Sequence, residues 1–260
     1  MMFIDAHAHL DDELLEAREA EVIAAAKEAG VGVIVNASSD LPSSEKSVAL
    51  AARREEVYAV IGVHPHEAKT YTDEVESRLV SLSKKKKVVA FGEIGLDYHY
   101  DLSPRDVQQA VLEREICLAD ELGLPVVFHV REAYEDFNRI IERQKARLRH
   151  GVLLHCYSGS AELAQYYRER FGAKFSFGGV LTFAKHKEAV LQAAGMENIL
   201  LETDCPYMTP VPFRGTPNEP KYIPLIAAKM SELLGVSVEE IAEKTTENAL
   251  AFYGIEMGKE

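Results

Sequence analysis

Long apolar runs are missing from this 260-residue sequence: no stretch is long enough, or free enough of charge, to cross a bilayer. The first residues, Met1-Met2-Phe3-Ile4-Asp5, lack the basic segment and apolar region of a secretory signal. Cysteine is scarce. Cys117, Cys156 and Cys205 are odd in number, far apart and form no Cys-x-x-Cys, which argues against a disulfide framework or a thiolate zinc site and for small buried side chains. Positive charge is in deficit, 29 Lys and Arg against 42 Asp and Glu, for a formal net charge of −13. Such a balance opposes sequence-independent attraction to nucleic acid, so an activity on phosphates would need local cations or bound metals. The one basic run, Lys84 to Lys87, reads as a solvated helix end. No Pro/Ser-rich linker or low-complexity segment divides the chain. These absences give the expectation of a soluble cytoplasmic protein, a single domain over residues 1–260, with no membrane association and no obligate protein partner.

What is present is alternation. Apolar, β-rich runs at Phe3-His7, Gly32-Ala37, Tyr58-Val63, Val88-Ile94, Val126-Arg131, Val152-Cys156, Lys174-Phe177 and Ile199-Thr203 predict strands. Helical patterns follow each, at Asp12-Ala29, Ser43-Arg54, Asp73-Lys85, Pro104-Leu122, Ala133-Leu148, Ala161-Phe171, Ala184-Ala194 and Pro220-Leu234. A further helix, Ser237-Phe252, opens with Ser237 and has Glu240 three positions on, the pattern of a capping box. Repeated strand-helix units with continuous apolar strands predict an α/β protein, a (β/α)8 TIM barrel with an extra C-terminal helix. An open doubly wound sheet is the alternative, but the first strand-helix junction offers Asp5-Ala-His-Ala-His9 and no Gly-rich phosphate loop.

That junction is the most informative segment. Two histidines one residue apart on an extended backbone point to the same face, as two ligands of one metal ion would. Other polar groups fall at the ends of predicted strands: His64 and His66, Glu93 and Asp97, His129 and Arg131, His155, and Asp204. In a barrel these positions converge on the C-terminal mouth, where active sites of this architecture are built. Without a cation the cluster would carry large desolvation and repulsion costs. Imidazole mixed with carboxylate suits zinc, manganese or a similar divalent ion, and Glu93 could bridge a pair of ions about 3.5 to 4 Å apart. Arg131, two positions after His129, is expected to face inward and not to pair with Glu132 or Glu135 on the surface. His66 is left out of the catalytic set, as a residue that caps the following helix.

The motifs Asp5-Ala-His-Ala-His-Leu10, Gly62-Val-His-Pro-His66, Gly92-Glu-Ile-Gly-Leu-Asp-Tyr98, His129-Val-Arg-Glu-Ala133, His155-Cys-Tyr-Ser-Gly159, Glu202-Thr-Asp-Cys-Pro-Tyr207 and Asn218-Glu-Pro220 span almost the whole chain. In that order they resemble the TatD-type metal-dependent deoxyribonucleases of the amidohydrolase-like superfamily. The resemblance implies that His7, His9, Glu93 and Asp204 surround one ion while Glu93, His129 and His155 hold another. It implies two divalent metal ions (Zn, Mn or Mg) and a DNA substrate, single strands or strand ends, cut from the 3′ end. It places His64, Arg131 and Ser158 toward the phosphate, and Tyr207 and Asn218 at a substrate edge or in support of the metal site. Glu115 stands where many members carry Gln, and Val130 where Ser is frequent; neither is an implied ligand. The expected activity is hydrolysis of phosphodiester bonds by a metal-activated water with Asp204 as general base, Glu93, Arg131 and His64 completing the catalytic set. Hydrolysis of an amide, lactone or aminoacyl ester is the rival enzyme class, because the same activated water attacks a carbonyl carbon; a non-catalytic metal-binding or scaffold protein is a further rival. Tyr207, Phe183 and Phe213 are candidate stacking residues, with ordinary packing as the competing account.

Overall fold

The computed structural model describes residues 1–256. Eight parallel strands form one sheet in chain order. They are β1 (Phe3–Ala8), β2 (Val31–Asn36), β3 (Val57–Ile61), β4 (Val88–Asp97), β5 (Val126–Arg131), β6 (Val152–Leu154), β7 (Lys174–Phe177) and β8 (Ile199–Leu201). Between and after them run α1 (Glu19–Glu28), α2 (Leu41–Arg53), α3 (Asp73–Ser83), α4 (Arg105–Leu122), α5 (Tyr134–Arg143), α6 (Ala161–Phe171), α7 (Glu188–Ala194), α8 (Ile223–Leu234) and α9 (Val238–Tyr253). This is the (β/α)8 barrel fold that the alternation predicts, with α9 as the extra C-terminal helix. No helix among the described residues is long and apolar enough to cross a membrane.

Contacts divide the chain into two compact units. The first comprises Met1–Asn36 and Gly159–Glu260 and holds β1, β2, β7, β8, α1 and α6 to α9. Every residue of β1 is buried, as expected of a parallel strand covered on both faces. β1 pairs with β2 along one edge. On its other side Ala8 bridges Cys205, and the His9 N–H donates to the Cys205 carbonyl at 2.9 Å. The Tyr253 hydroxyl of α9 donates to the Ala6 carbonyl at 2.8 Å, so the extra helix braces the strand that carries the two histidines.

The second unit, Ala37–Ser158, holds β3 to β6 and α2 to α5. β4 pairs in register with β5, Gly95 opposite His129 and Asp97 opposite Arg131. Gly95 has φ +150°, and a Cβ there would lie 1.9 Å from the His129 carbonyl oxygen. Only glycine lets β4 approach β5 this closely.

Helix entries differ from the sequence expectation where short polar side chains capture the backbone. Asp12 accepts the Leu14 N–H at 2.9 Å and holds a turn, so α1 begins only at Glu19. α2 begins earlier than expected because Asp40 and Ser43 form a reciprocal capping box. At α9 Ser237 accepts the Glu240 N–H at 3.1 Å, and the cap is the serine's alone. Of the cysteines, Cys205 is buried while Cys117 and Cys156 are half-buried, and none is in a disulfide.

Candidate metal centre

In the first unit the strand alternation does what the His-x-His spacing requires. The His7 and His9 rings lie 5.1 Å apart. Asp204, just beyond β8, turns the same carboxylate oxygen toward both: Oδ1 is 3.3 Å from His9 Nε2 and 4.0 Å from His7 Nε2. Two hydrogen-bonded side chains fix this arrangement from below. Asp5, fully buried, accepts the Thr203 N–H at 2.9 Å and the Thr203 hydroxyl at 2.5 Å, which locks β1 to the segment that presents Asp204. Burial pushes the Asp5 carboxyl up to about 7, against the lowering effect of those bonds. Asn218 is also fully buried; its amide donates to the Thr203 and Tyr207 carbonyls at 2.8 and 2.7 Å. It therefore braces the loop around Asp204 and offers no surface to a substrate. Tyr207 is exposed, its ring 6.3 Å from His9 and its hydroxyl donating to Asp12.

In the second unit Glu93 is the hub. Its Oε2 lies 2.5 Å from His155 Nε2, 3.4 Å from His129 Nδ1 and 4.0 Å from His64 Nε2, with the carboxylate 5% exposed. Donor atoms of His64, Glu93 and His129 all fall within 4.8 Å of one another. Three imidazoles around a buried carboxylate make a mixed nitrogen and oxygen set that suits a borderline divalent cation.

Asp97, four residues after Glu93 and on the same face of β4, was placed at a strand end by the sequence but not in the ligand set. Its Oδ2 lies 2.9 Å from His129 Nε2 and 3.1 Å from His66 Nε2, and its Oδ1 accepts the His99 and Tyr100 N–H groups. Burial alone would raise this carboxyl, but the bonds to His129, His66 and the Tyr100 N–H hold it well below the usual carboxylate range. The even spacing from Glu93, which the sequence reading did not use, is the signal that puts it on the same strand face. His129 is pulled two ways: burial lowers its pKa, while Asp97 and Glu93 raise it, and the carboxylates prevail.

His64 caps the 3-10 turn at Pro65–Thr70, its Nδ1 accepting the His66 N–H at 3.1 Å. The expected cap, His66, instead turns toward Asp97. With Nδ1 committed as acceptor, the neutral His64 ring carries its proton on Nε2, the atom facing Glu93. Burial, reinforced by the neighbouring His129, holds its pKa well below the usual histidine value. Arg131 lies over the Tyr100 ring at 4.9 Å and joins no ion pair among the described residues. The surface alternative fails at Glu132, which pairs with His99 at 2.7 Å. Ser158 is exposed and meets the Tyr134 hydroxyl at 3.3 Å. Glu115, almost fully buried on α4, accepts the Val63 N–H at 2.9 Å, immediately before His64. The Lys84 to Lys87 run follows α3, with Lys84 as its C-cap, and Lys87 is an anchor: its ammonium donates to the Arg54, Glu55 and Val57 carbonyls.

Comparison with known proteins agrees with this chemistry. The profile of the family described as TatD related DNase matches residues 4–254. A Bacillus subtilis protein named uncharacterized metal-dependent hydrolase YabD is 42% identical, the match covering 98% of this chain and 100% of that protein. A Pantoea ananatis protein named 3′-5′ ssDNA/RNA exonuclease TatD is 32% identical over 90% of this chain and 93% of its own length. The crystal structure of YJJV, a TatD homologue from Escherichia coli K12, superposes with a TM-score of 0.92 at 30% identity, covering 98% of each chain. The chain belongs to the TatD family of metal-dependent hydrolases.

Proposed function

We propose that this TatD-family hydrolase cleaves phosphodiester bonds, removing nucleotides from the 3′ end of single-stranded DNA. One observation carries the reading: Arg131, two residues beyond the candidate ligand His129, keeps its guanidinium out of every described ion pair. A chain with a net charge of −13 has carboxylates to spare, so an uncommitted arginine beside a cation-binding cluster suits a phosphate. The relative named a 3′-5′ ssDNA/RNA exonuclease supports the substrate class.

His7, His9 and Asp204 would hold one divalent ion, and Glu93, His129 and His155 another. When bound, such ions neutralise phosphate charge and make water a usable nucleophile near neutral pH. The remaining work belongs to the chain. Asp204 takes the proton of the attacking water. Arg131 grips a nonbridging oxygen through its planar fork, and the His64 Nε2–H donates to the phosphate or the departing oxygen. His64 suits that role because it is neutral and its proton is fixed on Nε2, the nitrogen that faces the Glu93 cluster. Ser158 would add a hydroxyl to the same phosphate, and Tyr207 would border the strand.

The test is end-labelled single-stranded DNA incubated with the protein across a series of divalent ions, with Asp204→Asn alongside. A ladder shortening from the 3′ end, abolished by chelation and slowed about 10²- to 10⁴-fold in the variant, is expected for loss of a general base. Near-wild-type cleavage by a variant that still binds its ions would refute the role of Asp204. Turnover of cyclic amides or lactones with no attack on DNA would refute the phosphodiester reading.

A further inference from the structure

The loop that follows β8 leads from Asp204 to a surface the chemistry above does not use. Phe183 and Phe213, at 41% and 42% exposure, are two of the large apolar side chains left open to solvent. Neither is simply unpacked. Phe213 stacks on Tyr222 with centroids 4.7 Å apart and an angle of 19° between the rings. The Arg214 guanidinium lies 4.1 Å from the Phe183 centroid. Each pair is thus a ready-made stack of planar groups, and Phe213 and Arg214 reach solvent.

Two loops build this surface and are fastened to each other within the first unit. The Val211 N–H donates to the Thr182 hydroxyl at 2.9 Å, and a Cβ on Gly179 would lie 1.9 Å from the Met208 carbonyl oxygen. Charge follows the aromatics. Arg214 donates to the Thr209 carbonyl but to no carboxylate, and Lys185 and Lys187 join no ion pair among the described residues. Glu188, the acid next in sequence, is engaged by the Gln192 amide. The sequence shows only Lys84 to Lys87 as a basic run, whereas folding brings Arg214 onto Phe183, two positions before Lys185.

We propose that Phe183, Phe213 and Arg214 form a stacking platform for the unpaired bases of a single strand, with Lys185 and Lys187 holding its phosphates. The proposal rests on the phosphodiesterase reading and names the subsite that feeds its substrate. A base laid on Phe213 continues the Tyr222 stack, and every base has a π-face to offer, so the contact is tolerant of sequence. Bases within a duplex are already stacked on each other and gain nothing here. Cations beside open rings match a polyanion of flat bases, not an aliphatic partner surface or a lipid chain. Tyr207, between Asp204 and this loop, carries the strand onward: its ring borders His9 and its N–H bonds the Asp204 carbonyl.

The experiment measures anisotropy of a labelled, phosphorothioate-linked oligothymidylate on the metal-loaded protein, beside a strand of equal length whose residues are abasic. Phe213→Leu and Phe183→Leu keep apolar bulk but remove the ring. Each is expected to weaken oligothymidylate binding about 5- to 10-fold and leave the abasic strand unchanged. Lys185→Gln with Lys187→Gln weakens both strands alike and flattens the salt dependence. The platform is refuted if wild type binds no oligothymidylate, if the Leu variants bind as wild type does, or if their loss is equal on the abasic strand. Ring-dependent binding of a normal strand that no divalent ion allows to be cut supports the platform and overturns the phosphodiesterase reading, so the two failures are distinguishable.

Discussion

Asp97→Asn replaces one atom and inverts a hydrogen bond. In wild type the Asp97 Oδ2 accepts from His129 Nε2 at 2.9 Å, which places the ring's proton on Nε2 and leaves the Nδ1 lone pair facing Glu93 at 3.4 Å and His155 at 3.1 Å. A carboxylate behind a histidine in this way fixes the tautomer that can bind a cation and strengthens it as a donor. The Asn Oδ1 keeps the two backbone bonds, from the His99 and Tyr100 N–H groups at 3.0 and 2.9 Å, so the local turn survives. Its Nδ2, however, stands where Oδ2 stood and is itself a donor. His129 must then accept on Nε2 and carry its proton on Nδ1, the wrong atom for a ligand. Affinity for the ion bound through His129 is expected to fall about 10- to 100-fold. The assay is calorimetric titration of zinc or manganese into chelator-stripped protein, with thermal unfolding to verify that the variant folds. Unchanged affinity and stoichiometry in a folded Asp97→Asn protein would refute both the tautomer argument and the place of His129 among the ligands.

The candidate site residues could be read as a set because each sits where strand period and strand end coincide. His7 and His9, Glu93, His129 and Arg131 needed only alternation and the apolar runs before them. What was hidden is what bonds to them. Asp5 and Thr203 are 198 residues apart, and no periodic signal joins them; only folding brings the carboxylate under the Thr203 N–H. Asn218, expected from the resemblance at a substrate edge or in support of the metal site, has its amide closed over by the loop, bonded to the Thr203 and Tyr207 carbonyls. The cap at Pro65 belongs to His64 and not His66 because the Nδ1 of the first histidine reaches the N–H two residues on. Helix starts moved for the same local reason, at Asp12 and Asp40. The cations around Phe183 and Phe213 come from segments about 30 positions apart, so a search for charge runs along the chain could not find them.

Gly95→Ala would force a Cβ to within 1.9 Å of the His129 carbonyl, backbone against backbone, at φ +150°. Its expected cost is about 2–6 kcal/mol, measured as a lower urea midpoint; a loss below about 1 kcal/mol would show that β4 and β5 can part without penalty. Arg131→Lys keeps the charge but loses the bidentate fork, so kcat/KM on single strands should fall at least tenfold while ion stoichiometry is unchanged; equal turnover would remove Arg131 from the phosphate. Glu115→Gln tests the buried carboxyl beneath His64. Burial raises the Glu115 pKa well above the ordinary carboxylate value, the Val63 N–H opposes that rise, and the charge of Glu76 adds to it. A group raised in the folded state contributes stability that is complete below its unfolded pKa and is lost as pH climbs through its folded value. Wild type should therefore lose stability from acidic to neutral pH in a way that Glu115→Gln does not, since Gln keeps the acceptor for the Val63 N–H and has no proton to release. The gap in Tm, in favour of Gln, should widen from pH 4 to pH 8; parallel curves would mean that Glu115 ionises in the fold as it does in water.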